Sequence, residues 1–406
     1  MRIPLFAAIL LLSACSAQSN GQEAAATRTG PPVDQAAPHT DFEPAFAGQT
    51  RAPEARSGIA IALEQIAVGL ERPWALEVLP DGAMLVTERP GRLRVITRDG
   101  RVSAPVAGLP AVDARGQGGL LDVTLSPSFA QDQLIYWTFA EARDGGNGTS
   151  VARGRLNRAE NRIEDVQVIF RQQPAWDSRG HFGSRIVFDG AGRLYVAMGE
   201  RQQREPRELA QDLSTHLGKV VRINPDGSAP QDNPFVGREG ARAEVWSYGH
   251  RNIQGAALHP QTGELWLVEH GPQGGDELNI ARAGRNYGWP VISYGEEYNG
   301  APVNGGIAVR EGMEQPSYYW DPVIAPGGML FYRGDLFPWR GDILIAGLGA
   351  RAVVRLELES ERVVGEERLI AGQEGRVRDI AEAADGSLLI VIDEDNGRLL
   401  RLTPAR

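Results

Sequence analysis

Thr262-Gly263-Glu264-Leu265-Trp266-Leu267-Val268 sets a turn pair just before four consecutive apolar residues. The run does not alternate with polar residues, so it reads as a strand covered on both faces. The same unit recurs at Asp81-Gly82 before Met84-Leu85-Val86, at Gln131–Gln133 before Leu134-Ile135-Tyr136-Trp137, and at Gly190-Ala191-Gly192 before Leu194-Tyr195-Val196-Ala197. It returns at Arg340-Gly341 before Ile343-Leu344-Ile345-Ala346 and at Asp385-Gly386 before Leu388-Leu389-Ile390-Val391-Ile392, which makes six units. They are spaced by about forty to about eighty residues, near or above the length of a propeller blade.

Leu93-Arg94-Val95-Ile96, Val353–Leu358 and Leu399–Leu402 follow such units after short turns and read as hairpin partners. The expected fold is therefore all-β: a six-bladed β-propeller of four-stranded antiparallel blades, with Ile61–Val68 joining the last blade to close the ring. A two-sheet, two-domain all-β arrangement is the rival. Helical periodicity is scarce, and Glu208–Leu217 is its best stretch. With 49 Gly and 26 Pro the chain is turn-rich, as many short strands require. A ring of small sheets also explains how 406 residues can share one fold.

The N-terminus carries Arg2, the apolar run Ile3–Leu12, and then Ser13-Ala14-Cys15. This is the layout of a secretion signal, and Leu12-Ser13-Ala14-Cys15 matches the lipobox pattern in which the cysteine is acylated. Residues 1–15 are expected to be a signal peptide and residues 16–57 a disordered tether, with His39 in solvent. Residues 58–406 are expected to form the propeller, on the periplasmic side and lipid-anchored to the outer membrane. Cys15 is the single cysteine, so no intramolecular disulfide is available. A net charge of −10 argues against nucleic acid and suits a cation such as calcium.

Chemistry-bearing residues crowd the loops around the Leu265–Val268 run. Arg251-Asn252 joins a fixed fork of donors to an amide, suited to a carboxylate or a quinone oxygen. Arg376-Val377-Arg378 puts two cations on one side of an extended segment, where a shared anion would relieve their repulsion. Gly271-Pro272-Gln273-Gly274-Gly275-Asp276-Glu277 is rich in carbonyls and carries two carboxylates, as calcium favours, although it does not match an EF-hand. His181 lies between glycines, and a neutral imidazole there can accept a hydroxyl proton. Each also has a plainer reading as a solvated arginine, a turn asparagine or a loop histidine. No HExxH and no GxSxG occurs, and His250, His259 and His270 lack helical spacing, so zinc and serine hydrolase chemistry find no support.

Gly249-His250-Arg251-Asn252 with Gln254-Gly255, then Glu269–Glu277, then Asn286-Tyr287-Gly288-Trp289-Pro290, resembles the soluble sugar dehydrogenases that use pyrroloquinoline quinone (PQQ). The aldose sugar dehydrogenases of bacterial periplasms are the most similar branch, and the resemblance runs from roughly Ile66 to Leu402. It implies that His181 is the general base and that Gln117, Arg251, Asn252, Gly349, Arg351, Arg376 and Arg378 contact PQQ. It further implies a calcium on the carbonyls of Gly271 and Pro272, and a second, structural calcium involving Glu277 and Tyr287. Arg251 would also stabilise charge during catalysis. The chain departs from the family at Gly180, which cannot assist His181, whereas Glu200 can still orient it. The implied activity is oxidation of the anomeric hydroxyl of aldose sugars to the lactone, with hydride passing to PQQ and electrons leaving to a periplasmic acceptor. A calcium-dependent lactonase or a non-enzymatic binding propeller would use a similar ring, but three arginines suit a polyanionic cofactor better than a neutral lactone.

Overall fold

The computed structural model describes Met1 and residues 30–405. Six antiparallel sheets stand around a central axis. Their innermost strands are Pro73–Val78, Leu120–Leu125, Gly183–Phe188, Ile253–Leu258, Pro326–Phe331 and Val377–Glu382. Each packs beside the next, and the sixth returns to the first. The six-bladed propeller read from the repeated units is thus the fold.

The recurrent apolar runs are the second strands of the blades. Met84–Glu88, Leu194–Met198, Leu265–Glu269, Ile343–Gly347 and Leu388–Ile392 are buried along their whole length. Leu265–Glu269 shows why alternation is missing. Trp266 and Val268 pack with Met329, Phe331 and Ile345 of the following blade, whereas Leu265 and Leu267 pack with Tyr195 and Val220 of the preceding one. Successive side chains point to opposite faces, and here both faces meet a neighbouring sheet. Each large side chain so buried contributes roughly 1.5–3 kcal/mol.

Ile61–Leu70 closes the last blade. It pairs antiparallel with Gly397–Pro404, with Leu63 opposite Leu402. Five sheets have four strands, and the first has three regular ones. Its fourth strand is irregular: Val102 bridges Ile96, and the Ser103 and Val106 N–H groups donate to Val95 and Leu93. Pro105 stands between these two donors and has no N–H to give.

Two expectations are corrected. Residues 208–217 are not a helix; the helical turns are Arg204–Glu208 and Leu209–Gln211. The buried Lys219 ammonium takes the carbonyls of Leu209, Ala210 and Leu217 and ends the run there. Residues 30–57 are not a free tether but a strap on the propeller. Asp321 accepts hydrogen bonds from the His39 and Thr40 N–H groups and sits 2.8 Å from His39 Nδ1, so His39, although exposed, is tied to the propeller. Arg51 donates to the Asp321 carbonyl, Thr50 bridges Tyr319, Glu54 bridges Glu366, and Gln49, Ala52 and Ala55 are buried. The strap is fastened by polar groups, which is why its apolar-poor composition reads as unstructured. Residues 2–29, with Cys15 and the leader, lie outside the described residues, among which no helix is long and apolar enough to cross a membrane.

Candidate functional site

The site lies where the inner strands begin. Trp74, Arg89, Gln117, Asn252, His270 and Arg378 line one cavity, together with Phe182, Gln254, Arg376 and Asp393. Five different blades supply these residues.

The turn that carries Arg251 and Asn252 is fixed from below by Glu269, at the end of the Leu265–Glu269 strand. Its carboxylate meets His250 Nδ1 at 2.9 Å and accepts the Arg251 N–H at 2.7 Å and Asn279 Nδ2 at 3.1 Å. Gly249 turns the chain at φ +77, and a Cβ there would lie 2.3 Å from Asn286 Oδ1. Arg251 Nη1 then reaches the carbonyls of His270 at 3.0 Å and Gly271 at 2.6 Å. Its Nε is buried without a hydrogen-bond partner. Asn252 Oδ1 accepts from the Gly183 N–H and from Gln254 Nε2.

His181 is 4 % exposed and stands at φ +47, a left-handed conformation. Such strain costs on the order of 1–3 kcal/mol and needs fixing contacts. Gln117 Oε1 accepts the His181 N–H at 2.9 Å, and Arg201 donates to the Gly180 carbonyl at 2.6 Å. Arg201 is fully buried, with its guanidinium 3.7 Å from the Phe182 ring centre. His181 Nδ1 lies 2.8 Å from Glu200 Oε2. With Nδ1–H donated to that carboxylate, Nε2 keeps its lone pair, and it has no hydrogen-bond partner among the described residues. Burial lowers the His181 imidazole below its ordinary value, and the nearby Arg251 adds to this, although Glu200 opposes it. The ring is therefore neutral at pH 7.

Gly180 is explained by its neighbour: a Cβ there would lie 1.9 Å from Gln202 Oε1. The Gln202 carboxamide occupies the space that a side chain at position 180 would fill.

Three cations, Arg89, Arg376 and Arg378, share the cavity with one carboxylate, Asp393. Arg378 has no hydrogen-bond or ion-pair partner among the described residues, and burial lowers it to about 10. Arg89 is lowered in the same way, and its Nε is buried without a partner. Arg376 is half exposed, 3.7 Å from Asp393. Guanidiniums gathered at one cavity wall in excess of the carboxylate there, with Arg378 buried, are costly in isolation. They fit a ligand with several carboxylates.

The other expected residues divide. Gly349 and Arg351 are exposed and do not line the cavity. The Gly271 carbonyl faces Arg251, and no group of three or more His, Cys, Asp and Glu among the described residues is arranged to hold a metal. A cation on Gly271 and Pro272 would thus depend on main-chain oxygens and on the cofactor itself. Glu277 is pushed up to about 8 by burial and by Glu269, and Asn279 donates to it. The Tyr287 hydroxyl is committed to the Ile280 carbonyl and the Arg282 N–H, and the ring stacks on His250, so that hydroxyl is not aimed at Glu277.

Sequence reasoning missed Arg89, His270 and Asp393. A signal existed: each directly follows the second strand of its blade, after Glu88, Glu269 and Ile392. Position relative to the repeated unit marks them better than residue type.

The glucose/sorbosone dehydrogenase family model matches residues 70–401. Aldose sugar dehydrogenase YliI of Escherichia coli (strain K12) is 44% identical over 340 residues, covering 82% of this chain and 91% of that protein. A crystal structure of a glucose dehydrogenase superposes with a TM-score of 0.82 at 46% identity, over 85% of this chain and 100% of the other. The PQQ-bound aldose sugar dehydrogenase of Streptomyces coelicolor gives 0.71 at 28% identity, over 85% and 98%. With its six blades, its site on the inner-strand ends and a family match across the whole ring, this chain belongs to the glucose/sorbosone dehydrogenase family.

Proposed function

We propose that this chain is a PQQ- and calcium-dependent aldose sugar dehydrogenase that oxidises the anomeric hydroxyl to the lactone. The observation that carries the reading is the meeting of two guanidiniums without hydrogen-bond partners, half-buried Arg89 and buried Arg378, with a neutral, oriented imidazole, His181, at one end of the ring. Arg89, Arg376 and Arg378 would hold cofactor carboxylates, and Gln117, Asn252 and Arg251 the quinone edge. The carbonyls of Gly271 and Pro272 would hold calcium, and Glu277 would contribute to a structural calcium together with Tyr287 through its main-chain carbonyl, since its hydroxyl is engaged. PQQ, when bound, supplies the acceptor for the hydride leaving the anomeric carbon.

His181 Nε2 takes the hydroxyl proton as that hydride leaves. Glu200 keeps the proton on Nδ1 and stabilises the ring once it is charged. Arg251 Nε, buried and without a partner, is a donor held ready for developing negative charge. We further propose a periplasmic location, a lipid anchor at Cys15 and a periplasmic electron acceptor, which rest on the leader pattern and the resemblance.

Adding PQQ and calcium to the apoprotein, with a reducible dye and a panel of aldoses, tests the assignment. Dye reduction is expected with aldoses. His181→Ala should keep the absorbance change of bound quinone while turnover falls by about a hundredfold or more. No reduction with any sugar, together with an unchanged quinone spectrum, would sink the assignment and favour a lactonase.

A further inference from the structure

The loop Gly271–Gly275 carries the carbonyl that Arg251 Nη1 meets at 2.6 Å. It lies in a crevice with two walls. One wall is Tyr294-Gly295: a Cβ on Gly275 would stand 2.7 Å from the Gly295 nitrogen, and a Cβ on Gly295 2.3 Å from the Gly274 carbonyl oxygen. The other is Trp320-Asp321: the Trp320 carbonyl accepts the Gly275 N–H at 2.9 Å, and a Cβ on Gly274 would stand 2.9 Å from Asp321 Oδ1. Gly274 and Gly275 turn at φ +82 and +71, where glycine is at ease. The path of this loop is therefore set by where its two walls stand.

The strap over residues 30–57 ties those walls together. Thr40 spans the crevice: its hydroxyl donates to the Tyr294 carbonyl at 2.9 Å, and its N–H donates to the Asp321 carboxylate at 3.1 Å. The His39 N–H reaches the same carboxylate at 3.0 Å, and Arg51 donates to the Asp321 main-chain carbonyl at 2.7 Å. On the other wall the Tyr294 hydroxyl meets Gln49 Oε1 at 3.1 Å, and its ring stacks on Tyr319 with centres 3.9 Å apart. Tyr294 and Asp321 are both buried. Hydrogen bonds to a carboxylate are stronger than those between neutral groups, so a strap poor in apolar residues can still hold both walls. The strap precedes residues 70–401, which the family model matches.

We propose that Thr40, with the Asp321 it grips, is a positioning residue for the cofactor seat. By fixing the width of the crevice, the strap fixes the place of the Gly271 and Pro272 carbonyls and of the Arg251 guanidinium that leans on them. The proposal rests on the PQQ and calcium reading and gives a role in it to a segment outside the family match.

Variants of the full chain test this with two readouts. Hydrogen exchange of the peptide over residues 271–276 is followed by mass spectrometry in cofactor-free protein. PQQ affinity is read from quinone absorbance in calcium-containing buffer. Thr40→Val keeps the side-chain shape and removes the hydroxyl; exchange should quicken about fivefold and affinity fall about fivefold, the size of one hydrogen bond. Thr40→Ser returns the hydroxyl and should return both readouts to wild type. Asp321→Asn should act more strongly, about tenfold or more, because its bonds are charge-assisted. If that variant does not fold, the Thr40 pair decides alone. Ser57→Ala loosens the strap at its other end, where Ser57 holds Glu367 at 2.9 Å, and should move neither readout. Either readout unmoved in Thr40→Val, or both moved as much by Ser57→Ala, overturns the proposal. A wild type that binds no PQQ would defeat the cofactor reading instead. Exchange then decides alone whether the strap sets the loop: faster in Thr40→Val supports it, unchanged overturns it.

Discussion

Arg378 and Arg185 approach the same Trp74 ring, at 4.8 and 4.7 Å from its centre, yet their surroundings differ. Arg185 is locked: it pairs with Asp122 at 2.8 Å and Asp379 at 3.2 Å and donates to the Gln254 carbonyl. Burial alone would lower that guanidinium, but the two carboxylates outweigh it and raise it. Arg378 has no such partner, and burial lowers it. A larger cavity, about 920 Å³, lies on the Arg185 side, at the far ends of the inner strands. Size therefore points to the wrong end of the channel. Uncompensated charge points to the right one, because a buried cation without a counter-ion is stable only if something else brings the anion.

The comparison breaks most visibly if the locked end is opened. Arg185→Met leaves Asp122 and Asp379 buried and facing each other, and should cost about 3–5 kcal/mol in urea unfolding. A loss too small to measure would mean that the triad does not hold the blades. At the other end Arg378→Gln should leave the unfolding curve unchanged or improve it. PQQ binding, followed by quinone absorbance, should weaken by about tenfold or more, since a charge-assisted bond contributes about 1.5–3 kcal/mol. Equal affinity would remove the distinction between the two arginines. The finest test concerns His181, whose imidazole sits below 6.5 because it is buried. Protonated, it cannot accept the sugar proton, so activity should fall as pH drops through a value below 6.5. Glu200 raises that value, so Glu200→Gln should move the acid limb of kcat/KM to lower pH. A limb that stays in place would show that Glu200 does not act on the ring.

Much of this architecture was legible because one rule repeats. Each Gly- or Asp-containing turn followed by a non-alternating apolar run became the second strand of a blade, and Ile61–Val68 took its place beside the last strand. The site was legible where motifs carry it: Gln117, His181, Arg251 and Asn252 converge, and Arg378 joins them across the channel. Arg351 did not: it is exposed, at φ +50, in the turn after Gly347, and does not line the cavity. Arg89 stayed hidden because a lone arginine before Pro90 looks like any surface turn; only the register of the repeat marks it. The strap over residues 30–57 could not be read, because Asp321, which fastens it, lies far along the chain.

Pairing of Ile61–Leu70 with Gly397–Pro404 has a consequence for the order of assembly. The seam joins segments more than three hundred positions apart, so the shell cannot shut until the final strand has been made. Until then Ile61–Leu70 and the strand Leu388–Ile392 both present unpaired edges, the kind that recruits other chains. A chain that stops short of Leu399 would remain in that open condition for good, and clumping rather than mere loss of turnover would be its fate.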